Sequence, residues 1–191
     1  MFERGFKTWC EKYATSKREE MGLASSDRLD AKGLAANLGI AVWTPHDIQG
    51  LSTEALAILL RNDGRTPSCW SAVTLVAGGK TVVILNSSHS RGRQASDLTH
   101  ELAHRIRGHQ THEMENSHDG LMLLSAYDKE QEDEADWLSS CLLLPRDALV
   151  HISRVGQDLQ VAAEHYCVSV KMLKYRMAMT GVDRQFGRVR A

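Results

Sequence analysis

The chain has 191 residues, 42% of them hydrophobic, and a formal net charge of −1. That length and apolar content support one domain with its own core, or one domain with a small appendage. The near-zero charge excludes a global field that would gather nucleic acid, and the lack of any apolar run of about 18 residues excludes a transmembrane helix. The first stretch, MFERGFKTWCEKY, is charged and has no apolar centre, so no secretory signal is expected.

Phe6 to Met21 has the pattern of an amphipathic helix, charged on one side. Asp30 to Leu38 predicts a second helix that stops at Gly39, followed by a short strand over Ile40–Trp43. Thr53 to Asn62 looks helical. Ser71–Ala77 and Thr81–Asn86 are rich in Val, Ile and Leu and flank Gly78-Gly79, the strongest hairpin signal in the chain. A helix over about 94–108 comes next, with Gly108 as its stop. Gly108 to Tyr127 is polar, carries His109, His112 and His118, and is expected to be a solvated loop. Asp128 and Gln131 have the spacing of an N-cap and its capping-box partner, opening a helix over about 129–144 that Pro145 ends.

Asp158 to Met179 predicts two short helices arranged as in a helix-turn-helix. Ala162 and Ala163 allow close packing, Val168 is a staple and Ser169 caps the second helix. Many such units have Gly where Cys167 stands. Lys171, Lys174 and Arg176 give only a modest basic face, so a helical hairpin packed on the rest of the molecule is favoured over DNA contact through residues 158–179. The basic tail RQFGRVRA is expected to be disordered. The four cysteines (Cys10, Cys69, Cys141 and Cys167) form no CxxC; Cys141 and Cys167 sit among apolar residues and read as buried thiols, which fits a reduced, cytoplasmic protein.

The chemistry centres on Thr99-His100-Glu101-Leu102-Ala103-His104. On a helix, positions i and i+4 lie about 40° apart in azimuth and one turn apart in height, so His100 and His104 can pinch one zinc ion. Glu101, about 100° round from His100, can reach a water at the metal. Leu98, Leu102 and Ile106 form an apolar stripe on the opposite side, so the helix packs its leucines on a core and turns its histidines to a cleft.

Two histidines do not complete a catalytic zinc site; a third protein ligand is needed, with the fourth position open. The metzincin spacing fails, because the third-His position is Gln110 and the Gly slot is Arg107; His109 and Gly108 are each one residue off. The helix opened by Asp128 offers a better source. Glu132 and Asp136 share one face of it: a Glu there can be the third ligand, and a carboxylate one turn later can accept the free N–H of a zinc-bound His. Glu134 is the rival ligand, but it lies about 200° from Glu132, so the two cannot both face the metal. Glu113, Glu115 and His118 are weaker rivals in the polar loop.

These residues resemble the ImmA/IrrE metallopeptidases. That family combines HExxH with a second helix that carries Glu, then Ala-(Asn or Asp), a bulky apolar residue and a Leu-Leu-x-Pro ending. Here Glu132, Ala135, Asp136, Trp137, Leu142, Leu143 and Pro145 stand in that order. The stretch ILNSSHSRGRQASDLTHELAHRIRGH resembles the family's strand ending in Asn, an Arg-containing turn and the zinc helix. The resemblance runs from about Gly33 to Gly181. It implies a thermolysin-like site with His100, His104 and Glu132 on zinc, Glu101 as the catalytic base and Asp136 behind a ligand. It also implies a regulatory protease that cuts a separate helix-turn-helix repressor and so releases stress or mobile-element genes.

The expected fold class is α+β: a mostly helical metallopeptidase domain over residues 1–150, with a small antiparallel sheet (hairpin 71–86) beside the HExxH helix, and a C-terminal helical hairpin and tail over 151–191. An oxyanion donor could come from Tyr127, Arg91 or His118. Mn²⁺ or Fe²⁺ remain alternatives to Zn²⁺, because His₂Glu ligands do not select by affinity alone. The competing functional reading is a non-catalytic protein that binds a repressor, acts as half of a toxin–antitoxin pair, or touches DNA through residues 158–179. A purely structural metal site is disfavoured, since no Cys lies near HExxH.

Overall fold

The computed structural model describes residues 2–61, 70–77, 79–109, 115–116, 122–123 and 128–187. Its helices are α1 (Phe6–Glu20), α2 (Ala31–Asn37), α3 (Thr53–Leu59), α4 (Arg91–Arg107), α5 (Lys129–Leu143), α6 (Arg146–Val155), α7 (Leu159–Tyr166), α8 (Val170–Thr180) and α9 (Val182–Gly187). Its strands are β1 (Ala41–Trp43), β2 (Ala72–Ala77), β3 (Lys80–Leu85), β4 (Glu115–Asn116) and β5 (Met122–Leu123). The fold class is α+β as expected. None of the described helices is long and apolar enough to cross a membrane.

Local chemistry explains most boundaries. The Asp30 side chain accepts from Gly33 N and opens α2, Ser90 does the same for α4 through Arg93 N, and Asp128 accepts from Glu130 N and Gln131 N at the start of α5. β2 and β3 pair antiparallel from Ala72↔Leu85 to Ala77↔Lys80, and Gly79 at the turn has a φ of 75° that a side chain would resist. The sheet is not purely antiparallel, however. β1 joins it as a parallel partner of β3, giving the order β1-β3-β2. That pairing spans a long crossover, which no local pattern announces.

Two further expectations are corrected, and one stretch left unassigned by the sequence is helical. The polar stretch after Gly108 is not all loop, since β4 and β5 pair antiparallel. Residues 146–155 form α6, whose Ala148, Leu149 and Ile152 are buried on one face. The basic tail is helical as far as Gly187, because α9 buries Val182 and packs Phe186.

Two apolar clusters hold these elements together. The first joins α1, α2, the sheet, α4 and α5, with Phe6, Leu34, Val83, Leu85, Leu98, Leu102 and Leu138 at most 4% exposed. Each such side chain contributes roughly 1.5–3 kcal/mol by leaving water. The second joins the end of α5 to α6, α7, α8 and α9 through Leu144, Leu149, Ile152, Tyr166 and Leu173. Ala95 of α4 packs against both clusters.

Two buried arginines tie the layers. Arg18 of α1 donates to Ala14 O, Asp27 O and Leu142 O, and burial pulls its guanidinium down to about 10. Arg176 of α8 donates from Nη2 to Glu11 Oε1 at 2.5 Å and from Nε to Leu144 O at 3.1 Å. Arg176 was expected on an exposed basic face, but it is fully buried, which leaves Lys171 and Lys174 exposed there. Cys141 is buried as expected, together with Cys10, whereas Cys167 is only half-buried. It adopts a left-handed φ of 57° at the turn between α7 and α8, the place where Gly is common. Cys69 lies outside the described residues.

Candidate active site

α4 places its chemistry by burying the other side. Leu98, Thr99, Leu102 and Ala103 are buried, and the Thr99 hydroxyl is tied back to Ala95 O at 2.8 Å. His100 and His104 therefore emerge together towards α5, where Glu132 meets them. His100 Nε2 and His104 Nε2 lie 3.0 Å apart; Glu132 Oε2 is 3.2 Å from the first and Glu132 Oε1 is 3.5 Å from the second. Among the described residues this is the group of histidines, cysteines and carboxylates whose ligand atoms converge closely enough to hold a metal ion. A tetrahedral zinc with bonds of about 2.0–2.1 Å has ligand–ligand edges of about 3.3 Å, and the three observed separations bracket that value. The donor set, two imidazoles and a carboxylate, fits a catalytic rather than a structural zinc.

Asp136, one turn beyond Glu132, accepts a hydrogen bond from His100 Nδ1 at 2.9 Å. Burial works against protonating His100, but the bond and charge of Asp136, with Glu132 and Glu101 nearby, outweigh it and raise its pKa above the ordinary imidazole value. Glu101 lies beside the cluster, and its carboxylate accepts a short hydrogen bond from the Thr74 hydroxyl on β2. Thr74 thus fixes Glu101 from the sheet side, a contact that sequence spacing could not reveal.

Glu134 does not join the three converging ligands. Its carboxylate accepts from Arg107 Nε at 2.8 Å and lies 3.2 Å from His109 Nε2. The other ring nitrogen of His109, Nδ1, is 3.0 Å from His104 Nδ1. His109 was expected in a solvated loop, yet its side chain is 8% exposed. Burial alone would raise the Glu134 pKa, but the bonds from Arg107 and His109 prevail and hold it below the usual carboxylate range.

A cleft of about 560 Å³ opens on the Asp136 side of His100, between α4, α5 and α8, with Asp97, Trp137, Lys171 and Tyr175 among its walls. Arg91 sits at the opposite end of α4, about 13 Å along its axis from His100, too far to serve as an oxyanion donor. Tyr127, His118, His112 and Glu113 lie outside the described residues.

None of the curated proteins compared with this chain matches it. The family Peptidase_M78, described as the IrrE N-terminal-like domain, matches residues 62–178, a stretch that contains both α4 and α5. Most of the chain is covered by that match, and the protein belongs to the IrrE N-terminal-like peptidase family.

Proposed function

We propose that the protein is a zinc-dependent, site-specific endopeptidase that cleaves a helix-turn-helix transcriptional repressor in the cytoplasm. The observation that carries the reading is the convergence of His100 Nε2, His104 Nε2 and Glu132 on one point, with the Glu101 carboxylate alongside. These three residues would hold a zinc ion, which would supply the Lewis acidity to polarise a peptide carbonyl and to lower the pKa of a water towards neutrality. Glu101 is the proton carrier: its carboxylate takes a proton from the attacking water and delivers it to the leaving amine nitrogen. Thr74 holds that carboxylate in place, and Asp136 keeps the His100 ring oriented with its proton on Nδ1.

The sheet supports an extended peptide as substrate. Among the described residues β2 is an edge strand, it carries Thr74 beside Glu101, and Leu75 and Val76 next to it are exposed. A peptide paired along such an edge satisfies its backbone bonds whatever its sequence, while pockets for side chains select it. Cutting a repressor to release stress or mobile-element genes follows from the family resemblance rather than from the site. Direct DNA contact through residues 158–179 is disfavoured by the burial of Arg176, which removes one cation from that face.

The test is incubation of the purified protein, loaded with zinc or manganese, with the helix-turn-helix repressor encoded beside it. A discrete pair of fragments is expected. A stable complex without cleavage would instead favour a repressor-binding or toxin–antitoxin role.

A further inference from the structure

We infer that His109, Glu134 and Arg107 form a positioning relay behind His104, which holds that ring in the tautomer a metal requires. The inference rests on the metal-site reading of His100, His104 and Glu132.

A ligand histidine that binds metal through Nε2 must carry its proton on Nδ1, and that N–H needs an acceptor to fix the ring. For His100 the acceptor is Asp136. For His104, the described residue that faces Nδ1 is a second imidazole. Its Nδ1 faces His109 Nδ1 at 3.0 Å, and two such nitrogens share one proton between them. With that proton on His104, His109 Nδ1 is the acceptor. His109 must then carry its own proton on Nε2, where Glu134 Oε2 waits at 3.2 Å. Glu134 is acceptor-only and is secured by Arg107 Nε at 2.8 Å. In that direction each N–H of the relay meets an acceptor, His104 on His109 and His109 on Glu134.

The sequence builds this relay with a helix ending. Gly108 takes a left-handed φ of 68°, Gly108 N bonds Arg105 O at 3.2 Å and His109 N bonds His104 O at 3.0 Å. This pair of bonds is the Schellman arrangement, which reverses the chain just after the helix and lays the residue following Gly back over the last turn. That residue is His109. Its ring meets the ring of His104 edge-on, with centroids 5.0 Å apart. Arg107 is braced in turn, its guanidinium carbon 5.0 Å from the Phe6 ring centroid and 5.1 Å from that of Trp9 on α1. The two ligand histidines are therefore supported unequally. Asp136 is largely exposed, whereas the His109 and Glu134 side chains are only 8% and 17% exposed.

The test compares metal affinity, by competition with a chromophoric chelator at pH 8, for full-length wild type, His109→Ala and His109→Asn. The Asn side chain keeps an acceptor oxygen near the position of Nδ1 but loses the link to Glu134. Wild type and both variants are expected to bind one equivalent of Zn²⁺. His109→Ala should bind about 10- to 100-fold more weakly. His109→Asn, which keeps the acceptor but not the link to Glu134, should recover only part of that loss. Equal affinity of all three proteins, equal weakening of Ala and Asn, or loss of the metal equivalent in both variants would overturn the relay. The last result would make His109 a ligand.

Should His109→Ala fail to fold, imidazole ¹⁵N spectra of zinc-loaded wild type decide the matter. They should show His104 protonated on Nδ1 and His109 protonated on Nε2 alone; a proton on His109 Nδ1 would overturn the relay. Absence of zinc binding by wild type would reject the metal-site reading and the relay with it. Zinc binding without peptide cleavage would reject the protease reading while the relay stands.

Discussion

Replacing Asp136 by alanine should weaken zinc binding by about tenfold, close to 1.4 kcal/mol. The 2.9 Å bond to His100 Nδ1 orients a ligand ring, and partners of this kind change metal affinity by about 10- to 100-fold. The Asp136 side chain is 75% exposed, so water can take over as acceptor in the variant, which places the effect at the lower end. Asp136→Asn keeps an acceptor oxygen and should stay within about threefold of wild type. The loss should also depend on pH in a definite direction. Asp136 favours the imidazolium form of His100 as well as its metal-bound form. Zinc must displace that proton, so binding by wild type weakens as pH falls through the raised His100 value. In Asp136→Ala the competing proton is held less tightly. The tenfold gap is thus full at pH 8 and narrows in acid. Chelator competition from pH 8 to pH 5.5 measures it. No gap at pH 8, an Asn variant as weak as Ala, or a gap that widens in acid would refute the reasoning.

Three further outcomes concern the scaffold. Arg176→Met should destabilise the fold by about 3 kcal/mol in urea unfolding, because it takes the cation from Glu11 Oε1 and the donors from Leu144 O; the partial exposure of Glu11 and its remaining bond from Arg146 N keep the loss near the low end for a broken buried pair, and adding Glu11→Gln should restore part of it. An unchanged midpoint would mean that the pair is not holding α8 to α1. Gly108→Ala meets no atom within 4 Å, so only the left-handed backbone resists it, and thermal unfolding should report a loss of about 1 kcal/mol. Cys141 is fully buried, and its hydrogen bond with Cys10 together with that burial pushes its thiol well above the ordinary value. Its alkylation by iodoacetamide, followed by mass spectrometry, should proceed only as fast as the protein unfolds.

The parts of the molecule that rest on local chemistry were legible in the sequence. Asp128 as a cap, the glycine turn between β2 and β3, and the opposed faces of α4 follow from spacing within a few residues. The convergence of Glu132 with His100 and His104 was reachable too, because helical periodicity separates Glu132 from Glu134. What escaped depends on partners far away in the chain. β1 finds β3 across a long connection. Arg176 looks like a surface cation until Glu11 and the end of α5 close over it. Pro145 reads as a stop for α5, and nothing nearby in sequence shows that it also opens α6. The polarity of its neighbours points His109 to a solvated loop. The signal that could have found it is the Gly-His pair directly after a helix, since a left-handed glycine turns the next residue back onto the final turn.

The most direct test of the central claim is the rate of peptide-bond cleavage by zinc-loaded Glu101→Gln beside zinc-loaded wild type. Glutamine keeps the shape of the side chain and can still accept from Thr74, but it cannot take up the proton of the attacking water. One bound zinc is expected in both proteins, with a loss of at least about 100-fold in rate for the variant. Cleavage by Glu101→Gln at the wild-type rate would contradict the central claim.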